Sequence, residues 1–512
     1  MHALHQLSVL VLGLGDSGLA MVRWCVRHGA QVVVVDTREQ PPHLAQLKQE
    51  HPSVVFKQAP FDASLLEGQS IRAVFKSPGL TPEEVAPVWQ AAKASGMWVG
   101  TELTLFAQAL EELKTDQQYA PHVLAITGTN GKTTVTALTG QLLERAGLRV
   151  AVAGNIGPTL LDTLSSATEQ TQDHWPQAWV LELSSFQLDE VENFEPTAAA
   201  VLNVTQDHLD WHGDMTTYAQ AKARIFGHHS CMVLNREDPQ VMTMLPAPVA
   251  KTKGSKQLPR EVMRFGGDMP VQHGDWGLET VNGMTWLVRA LDVDETRKSR
   301  ATIESEIYIK RLLPVDALRI RGRHNALNAM AALALASSTG TPLAAMLYAL
   351  REYRGEPHRV ASVAVLQDVE YIDDSKGTNV GATVAAINSV GADRKIVLIL
   401  GGDGKGQDFS PLRVPIQQFA REVVLIGKDA TKLREVLQGT GVPMRDAANL
   451  EDAVKLCKGL AQTGDAVLLS PACASFDMFK NYVHRGEVFA QAVQALALDS
   501  GLEIDLHGGA QI

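Results

Sequence analysis

The apolar positions of this chain repeat one pattern three times: a short hydrophobic run, a glycine-rich turn and then a helical pattern. The first run, Leu7–Leu14, leads through glycines at 13, 15 and 18 into helical periodicity to about His28. The second, Val123–Thr127, is followed by glycines at 128 and 131 and a helix to about Ala146. The third, Lys395–Leu400, leads into glycines at 401, 402, 404 and 406. Short apolar strands that alternate with helices predict α/β domains with parallel sheets throughout.

Polar stretches mark where these units separate. Glu111–Tyr119 and Tyr353–Pro357 predict three domains, at 1–119, 120–353 and 354–512. We expect a Rossmann-like N-terminal domain, a central P-loop mononucleotide-binding domain and a C-terminal Rossmann-like α/β domain. Residues 245–312 carry charge runs that are typical of solvated loops, namely Lys251, Lys253, Lys256 and Glu295–Arg300. We predict an irregular insertion there and assign it no chemistry.

Composition narrows the class of protein. No apolar run reaches the roughly 20 residues that cross a bilayer, and Leu7–Leu14 leads into glycines, so it predicts a buried strand and no signal peptide. The four cysteines, at 25, 231, 457 and 473, have no C-x-x-C spacing, which favours a reducing cytoplasm. A net charge of −11 argues against nucleic-acid binding. We therefore expect a cytoplasmic protein that binds neither nucleic acid nor membrane.

The segment after the second apolar run is typical of a phosphate-binding loop, Gly128-Thr129-Asn130-Gly131-Lys132-Thr133-Thr134. Glycines let backbone N–H groups approach a phosphate closely, and the start of the helix adds a positive dipole end. Lys132 would then reach the β- and γ-phosphates, and the Thr133 hydroxyl would bind Mg²⁺. A strict Walker A loop has glycine where this chain has Ile126, and the alternative is a helix-capping turn with Lys132 exposed. We expect a bound nucleoside triphosphate.

The first glycine loop permits more than one ligand. Gly13, Gly15 and Gly18, with Asp36 at the end of the next strand, match the dinucleotide fingerprint. This pattern places a diphosphate at a helix N-terminus and an acidic side chain near the hydroxyls or the base of a nucleotide. It therefore fits NAD or another nucleoside diphosphate. A tight turn without ligand is the remaining alternative.

Two further segments place chemistry at strand ends. Glu182 follows the buried run Ala178–Val180, where ligands bind in such sheets, so it is either a Mg²⁺ ligand beside Thr133 or a structural carboxylate. The histidines and acids of residues 207–212 meet no zinc spacing, which favours a single active-site histidine, His208. Lys222 lies on a helical stretch, where the default for a lysine is solvent.

Taken together, several segments resemble the Mur ligase family, the ATP-dependent amino-acid ligases of peptidoglycan synthesis. They are SPG (77–79), GTNGKTT (128–134), GNIG (154–157), LELSSFQL (181–188), NVTQDHLD (203–210), RGRHNALN (321–328), DDSKGTN (373–379), GGDGKG (401–406) and SPACASFD (470–477). The likeness covers nearly the whole chain and is weakest at about 245–312. It implies the branch that joins D-glutamate to UDP-N-acetylmuramoyl-L-alanine through an acyl phosphate. It also implies a monomer that uses ATP and two Mg²⁺ ions.

The resemblance implies binding residues for each substrate. The UDP-linked substrate would be held by Gly15, Asp16, Ser17, Asp36, Thr37, Arg38, Ser77 and Gly79, with Asn155 at its sugar or on the metal side. ATP would be bound by residues 128–134 and by Asn325, Asn328, Arg359 and Asp374, with His324 near the adenine. D-glutamate would be bound by Thr378, Lys405, Ser475, Phe476 and Tyr482. Relatives often carry Thr at the position of Ser17, a hydrophobic residue at that of Asp16 and Phe at that of Tyr482.

The implied catalytic residues are Lys132, Glu182, His208 and Lys222, and the implied metal ligands are Thr133, Glu182, His208 and Lys222. Lys222 matches a lysine that the family carries as a CO₂-derived carbamate, which reverses the expectation that it lies in solvent. A metal-bound His208 would be a poor base, so deprotonation of the glutamate amine is left to Asp207 or a water.

Two other classes of function compete with the ligase. A nicotinamide-dependent oxidoreductase accounts for the first glycine loop but leaves Lys132 and its threonines without a role. A nucleotide-driven switch accounts for the phosphate loop but not for the motifs of the glutamate site.

Overall fold

The computed structural model describes residues 2–68, 70–246, 260–292, 307–392, 394–499 and 501. Within these ranges the chain forms three sheets flanked by helices. The first two sheets belong to one compact unit and the third to a second. A search of the described helices finds none with the length and apolarity to span a membrane.

The N-terminal sheet is parallel, in the order β3-β2-β1-β4-β5. Its central strands are near-continuous apolar runs because helices cover both faces. The strands are β1 (Ser8–Leu12), β2 (Gln31–Asp36), β3 (Val55–Gln58), β4 (Ala73–Lys76) and β5 (Trp98–Gly100). The helices are α1 (Asp16–Arg27), α2 (Leu44–Glu50), α3 (Pro82–Ala94) and α4 (Glu102–Gln117). The polar stretch Glu111–Tyr119, predicted as a boundary, is therefore mostly the last turns of α4.

The central sheet has the order β14-β13-β12-β11-β10-β9-β6-β8-β7 among the described residues. Its first strands are β6 (His122–Thr127), β7 (Val150–Gly154), β8 (Ala178–Glu182), β9 (Ala198–Val201) and β10 (Cys231–Asn235). The helices are α5 (Lys132–Arg145), α6 (Leu160–Thr168), α7 (Ser185–Leu188), α8 (Leu209–His212), α9 (Met215–Ala223), α10 (Pro239–Met242), α11 (Arg323–Ser337) and α12 (Leu343–Glu352). Because β6 lies between β8 and β9, the carboxyl ends of these parallel strands meet at one edge.

The described part of 245–312 corrects two predictions. It forms the regular strands β11 (Val262–Phe265), β12 (Trp276–Val281), β13 (Met284–Asp292) and β14 (Ile307–Pro314), which extend the central sheet. The prediction of an irregular insertion is therefore wrong for these residues. Strands β12, β13 and β14 pair antiparallel, so the sheets are not parallel throughout. The predicted charge runs at 251–256 and 295–300 lie outside the described residues.

The C-terminal sheet has the order β15-β16-β20-β17-β18-β19. It is parallel except for the antiparallel pair of β15 and β16. The strands are β15 (Ala361–Leu366), β16 (Val369–Asp373), β17 (Ile396–Gly401), β18 (Ala420–Ile426), β19 (Met444–Asp446) and β20 (Ala466–Leu469). The helices are α13 (Val380–Gly391), α14 (Arg413–Phe419), α15 (Ala430–Leu437), α16 (Leu450–Leu460) and α17 (Tyr482–Asp499).

Candidate functional site

The phosphate loop connects β6 to α5, as the sequence predicted. Gly128 and Gly131 have φ angles of 152° and 84°, which favour glycine. A Cβ on Gly131 would lie 2.7 Å from the side-chain oxygen of Asn328, which places that asparagine against the loop. Asn203, just after β9, clamps the loop, because its side chain accepts from the backbone N–H of Asn130 at 2.8 Å and donates to the carbonyl of Asn130 at 3.0 Å.

Lys132 lies at the start of α5, and its Nζ donates to the carbonyl oxygens of Gly128 and Thr129, each at 2.9 Å. The side chain is half-buried, so the alternative of an exposed lysine beyond a capping turn is not met. Thr133 follows in the first turn of α5. The ammonium group of Lys132 therefore lies against the loop backbone that a bound triphosphate would contact.

Lys222 differs most from what its position on a helix predicted, which was a side chain in solvent. Its side chain is 1% exposed rather than solvated. From α9 its Nζ reaches the same loop, donating to the Gly128 carbonyl at 3.0 Å, and lies 4.4 Å from the centre of the Tyr218 ring. The Tyr218 hydroxyl is in turn 3.2 Å from the Thr129 hydroxyl. The expectation of a solvated Lys222 is wrong.

Glu182 is the last residue of β8 and is 3% exposed. Its Oε1 accepts from the side chain of Asn155 at 3.0 Å, whereas its Oε2 is buried without a hydrogen-bond partner among the described residues. Gly154 permits this approach, since a Cβ there would lie 2.2 Å from the Glu182 carbonyl. A buried carboxylate oxygen beside a phosphate loop suits Mg²⁺, which prefers oxygen ligands.

His208 and His212 occupy different environments. His208 precedes α8 with a φ of 54°, and its ring centre lies 4.8 Å from that of Phe186. His212 is buried, its Nε2 is 2.9 Å from the Ser185 hydroxyl, and burial lowers its pKa to about 4. A search of the described residues finds no cluster of three or more His, Cys, Asp or Glu suited to a metal. The implied metal set has only two such side chains, Glu182 and His208, so a Mg²⁺ there needs hydroxyl, phosphate or carbamate oxygens as well.

In the N-terminal domain, Asp36 is 2% exposed and braces the first glycine loop. Its carboxylate accepts from the backbone N–H of Leu14 at 2.8 Å and from the Arg38 guanidinium at 2.8 Å. Burial would raise the pKa of Asp36, but the hydrogen bonds from Arg38 and Leu14 outweigh it and hold that pKa below its ordinary value. Asp36 therefore contacts the loop itself, rather than presenting both oxygens to a ligand.

The remaining residues predicted for the UDP-linked substrate surround the same loop to different degrees. Ser77 is buried and donates to the Gly13 carbonyl at 3.0 Å, and Gly79 follows it in an open position. Gly15 caps α1, and the Ser17 hydroxyl donates to Glu102 at 2.6 Å. Asp16 is exposed beside His43, at 2.7 Å, and Thr37 is exposed after β2.

Two residues predicted for ATP lie on α11. Asn328 approaches Gly131 of the phosphate loop, as described above, whereas the Asn325 side chain donates to the carbonyl of Arg321 at 2.9 Å. Burial lowers the pKa of the neighbouring His324 to about 4, which keeps its ring neutral near pH 7.

The other two residues predicted for ATP lie with the third sheet. Asp374 follows β16 and accepts from the Ser470 hydroxyl at 2.6 Å. Burial raises the pKa of Asp374 to about 7, against the hydrogen bond from Ser470 and the positive charge of Arg359.

The residues predicted for D-glutamate are brought together in part. The Lys405 Nζ lies 6.0 Å from the ring centre of Phe476, which is 70% exposed, and an isolated bridge between Asp403 and Ala474 joins their two loops. Ser475 is buried beside them. Tyr482 begins α17, and the Lys376 Nζ lies 3.8 Å from its ring centre. Thr378 lies between β16 and α13.

Sequence reasoning missed several residues that shape these loops. Asn203 and Lys376 stand inside motifs that were recognised but were given no role of their own. Tyr218 lies one helical turn before Lys222, so helical spacing could have placed it beside that lysine. Glu102 had no signal, because its partners are 85 and 59 residues away.

Comparison with known proteins identifies the family of the chain. The chain matches the MurD-like N-terminal domain of Mur ligases over residues 7–100, the Mur ligase middle domain over 126–336 and the Mur ligase glutamate ligase domain over 358–473. A UDP-N-acetylmuramoylalanine–D-glutamate ligase of Albidiferax ferrireducens is 60% identical over 501 residues, covering 98% of each chain. The enzyme of the same name from Burkholderia cenocepacia is 55% identical over 503 residues, covering 96% of this chain and 98% of its own.

Solved structures share the fold at low sequence identity. The MurF ligase of Thermotoga maritima in complex with ADP has a TM-score of 0.56 at 16% identity, covering 96% of each chain. The UDP-N-acetylmuramate–alanine ligase MurC of the same organism has a TM-score of 0.53 at 20% identity, covering 96% of this chain and 99% of its own. With domain matches over most of its length and relatives above half identity, this chain belongs to the Mur ligase family.

Proposed function

We propose that this protein is an ATP-dependent ligase that adds D-glutamate to UDP-N-acetylmuramoyl-L-alanine in peptidoglycan precursor synthesis. The observation that carries the proposal is the convergence of Lys132, Lys222 and Glu182 on the carboxyl edge of the central sheet around the phosphate loop. The choice of substrates is supported by full-length relatives that carry that activity in their names.

The chemistry requires activation of a carboxylate, because an amine does not displace oxide from it. A carboxylate oxygen of the L-alanyl group attacks the γ-phosphorus of ATP, and the bond to the bridging oxygen of ADP breaks. The glutamate nitrogen then attacks the acyl carbon of the mixed anhydride and phosphate leaves. The amine proton passes to a base that we leave open between Asp207 and a water.

Charge stabilisation is the main task of the chain in the first step. A carboxylate brought to 4 Å from a phosphate charge is repelled by about 4 kcal/mol at an effective dielectric near 20. Lys132 offsets this repulsion at the phosphates. Mg²⁺, when bound by Glu182, His208 and Thr133, supplies further positive charge to the same oxygens.

We further propose that Lys222 acts as a carbamate. Its neutral amine would attack the carbon of CO₂ and lose a proton, which replaces an ammonium by an anionic oxygen ligand for a second Mg²⁺. Two observations support this: Lys222 is almost fully buried, and it shares an acceptor with a second lysine.

The binding residues are proposals of the same kind. We propose that the first glycine loop with Ser77 holds the uridine diphosphate, that residues 128–134, Asn325, Asn328, Arg359 and Asp374 bind ATP, and that Thr378, Lys405, Ser475, Phe476 and Tyr482 bind D-glutamate. We propose a cytoplasmic monomer; the four cysteines are buried and form no disulfide, which suits a reducing compartment.

An amino-acid panel tests the proposed function. Purified protein is given Mg·ATP and UDP-N-acetylmuramoyl-L-alanine, and phosphate release is followed with D-glutamate, L-glutamate, L-alanine or a diamino acid. We expect release with D-glutamate that also requires the UDP-linked substrate. Hydrolysis indifferent to the amino acid would favour a nucleotide switch, and a nicotinamide absorbance change without ATP would favour an oxidoreductase.

A further inference from the structure

Glu102 connects the first turns of two helices, α1 and α6, that follow strands of different sheets. It is the first residue of α4 and is 2% exposed. Its Oε2 accepts from the Ser17 hydroxyl at 2.6 Å, and its Oε1 accepts from the backbone N–H of Leu161 at 3.0 Å. Ser17 lies in the first turn of α1, directly after the first glycine loop, and Leu161 lies in the first turn of α6.

The contact to Leu161 replaces a missing local cap. Thr159 stands at the N-cap of α6, but its side chain makes no capping hydrogen bond and its hydroxyl is buried without a partner among the described residues. Helix N-termini leave backbone N–H groups that need an acceptor. Here the carboxyl group of Glu102, from a helix of the N-terminal domain, supplies that acceptor.

The loop before α6 continues to the candidate metal site. Six residues before Leu161, Asn155 donates to Glu182 through its side chain at 3.0 Å and its backbone N–H at 2.8 Å. A chain of contacts therefore runs from Ser17 through Glu102 and α6 to Glu182. Ser17 lies beside the loop where we place the diphosphate of the substrate, and Glu182 lies where we place the metal ion.

We propose that Glu102 is a positioning residue that fixes the first glycine loop against the loop at 154–159, so that a substrate held by its diphosphate presents its distant carboxylate to the γ-phosphate of ATP. This inference rests on the proposed function. An error of about 1 Å in such an alignment costs roughly 10²-fold in rate. Because Glu102 is buried and would act through Ser17 and Leu161, we expect its loss to affect turnover more than the binding of either nucleotide.

The variants Glu102→Ala, Glu102→Gln and Ser17→Ala test this role by kcat, by KM for ATP and by the inhibition constant of UDP alone. For Glu102→Ala we expect kcat to fall by roughly 10- to 100-fold, while KM for ATP and inhibition by UDP change by less than about threefold. Glu102→Gln should retain most activity, because its carbonyl accepts from Leu161 and its amide donates to the Ser17 oxygen. An unchanged kcat in Glu102→Ala, or equal losses in Glu102→Gln and Glu102→Ala, would overturn the proposal.

A double-mutant cycle shows whether Ser17 and Glu102 act through their shared hydrogen bond or affect activity independently. If Ser17 acts through Glu102, Ser17→Ala should cost less than about twofold once Glu102 is alanine, whereas independent effects would multiply. Glu190→Gln is the matched control. Glu190 also links the first domain to the central sheet, but it does so through Trp89 and Lys93 of α3 rather than through α1 or α6.

We expect Glu190→Gln to leave kcat within about twofold, and a loss equal to that of Glu102→Ala would refute a specific alignment. Should Glu102→Ala fail to fold, Ser17→Ala in the wild-type and Glu102→Gln backgrounds still tests the contact between Ser17 and Glu102.

Wild-type protein that releases no phosphate with D-glutamate would refute the proposed function instead. In that case the affinity for Mg·ADP would be measured with and without UDP in wild type, Ser17→Ala and Glu102→Gln. An effect of UDP on Mg·ADP affinity that is the same in Ser17→Ala as in wild type would overturn the contact between Ser17 and Glu102 as a link between the two sites.

Discussion

Lys132 and Lys222 donate to one acceptor, the carbonyl oxygen of Gly128, at 2.9 and 3.0 Å. Their nitrogens therefore lie within about 6 Å of each other, where two positive charges repel by about 3 kcal/mol at an effective dielectric near 20. Lys132 comes from the phosphate loop itself and Lys222 from a helix more than 80 residues later. If one carries its charge to the phosphates and the other becomes a carbamate, the repulsion turns into attraction.

Replacing Lys132 tests the phosphate role of the loop. We expect Lys132→Ala to lower phosphate release by at least roughly 10²-fold, since removing one donor to a developing charge costs about that much in other enzymes. The fold should be retained, because the lysine is half-buried and donates to carbonyl oxygens of its own loop. Circular dichroism checks the fold, and Lys48→Ala, an exposed lysine on α2, is the control. Unchanged turnover would contradict the role.

Replacing Lys222 tests the carbamate. We expect Lys222→Ala to lose activity by about 10²-fold or more and to recover part of it with acetate or formate, whose carboxylate can occupy the place of the carbamate. Lys132→Ala should show no such rescue, because it lacks a cation rather than an anion. Wild-type enzyme depleted of CO₂ should lose activity and regain it with bicarbonate. Insensitivity to both treatments would leave Lys222 as a buried ammonium group.

Replacing Glu182 tests the metal site. Glu182→Gln keeps an acceptor for Asn155 but exchanges the buried Oε2 for an amide nitrogen, which cannot bind a cation. We expect the Mg²⁺ concentration for half-maximal activity to rise by at least about tenfold, which a loss near 1.4 kcal/mol in binding would produce. A magnesium titration of phosphate release measures it, with Glu144→Gln, exposed on α5, as control. An identical titration curve would exclude Glu182 as a ligand.

The carboxyl group of Glu102 predicts a pH dependence of stability. Burial raises its pKa from 4.5 to about 7, against the hydrogen bonds from Ser17 and Leu161, while nearby Asp162 raises it further. Asp162 itself pairs with Arg23 at 3.0 Å. Between pH 4.5 and 7 the folded protein holds a proton that the unfolded chain has released, so the contribution of Glu102 to stability is lost as pH rises through this range.

Glu102→Gln should remove this dependence. Relative to wild type, its unfolding free energy should rise between pH 4.5 and pH 8 by an amount on the order of 3 kcal/mol. Urea unfolding of both proteins at several pH values measures the difference, with Glu169→Gln, an exposed carboxylate after α6, as control. A difference that stays constant with pH would show that Glu102 does not titrate in this range.

Local patterns determined the elements around the proposed nucleotide sites. The helices predicted to end near His28 and Ala146 end at Arg27 and Arg145. Glu182 was predicted at a strand end and is the last residue of β8. Such features follow from apolar runs, glycines and helix periodicity within about 15 residues, so the sequence alone displays them.

The strands at 262–314 escaped prediction because their side chains are only partly covered. β13 and β14 have mostly half-buried positions in no regular alternation and carry charged residues such as Arg311, which pairs with Glu279 of β12 at 2.6 Å. A strand of that kind looks like a polar loop until its partner is known, since a sheet is stabilised by cross-strand pairs.

The sequence by itself determined the three glycine-rich turns and the resemblance to a ligase family, because each turn and each motif depends on neighbouring residues in one segment. Only the tertiary structure decided that Lys222 is buried against Gly128, that Asp36 contacts its own loop and that Glu102 joins α1 to α6. Burial and pairing depend on which distant segments the packed sheets bring together, and no local pattern encodes that distance.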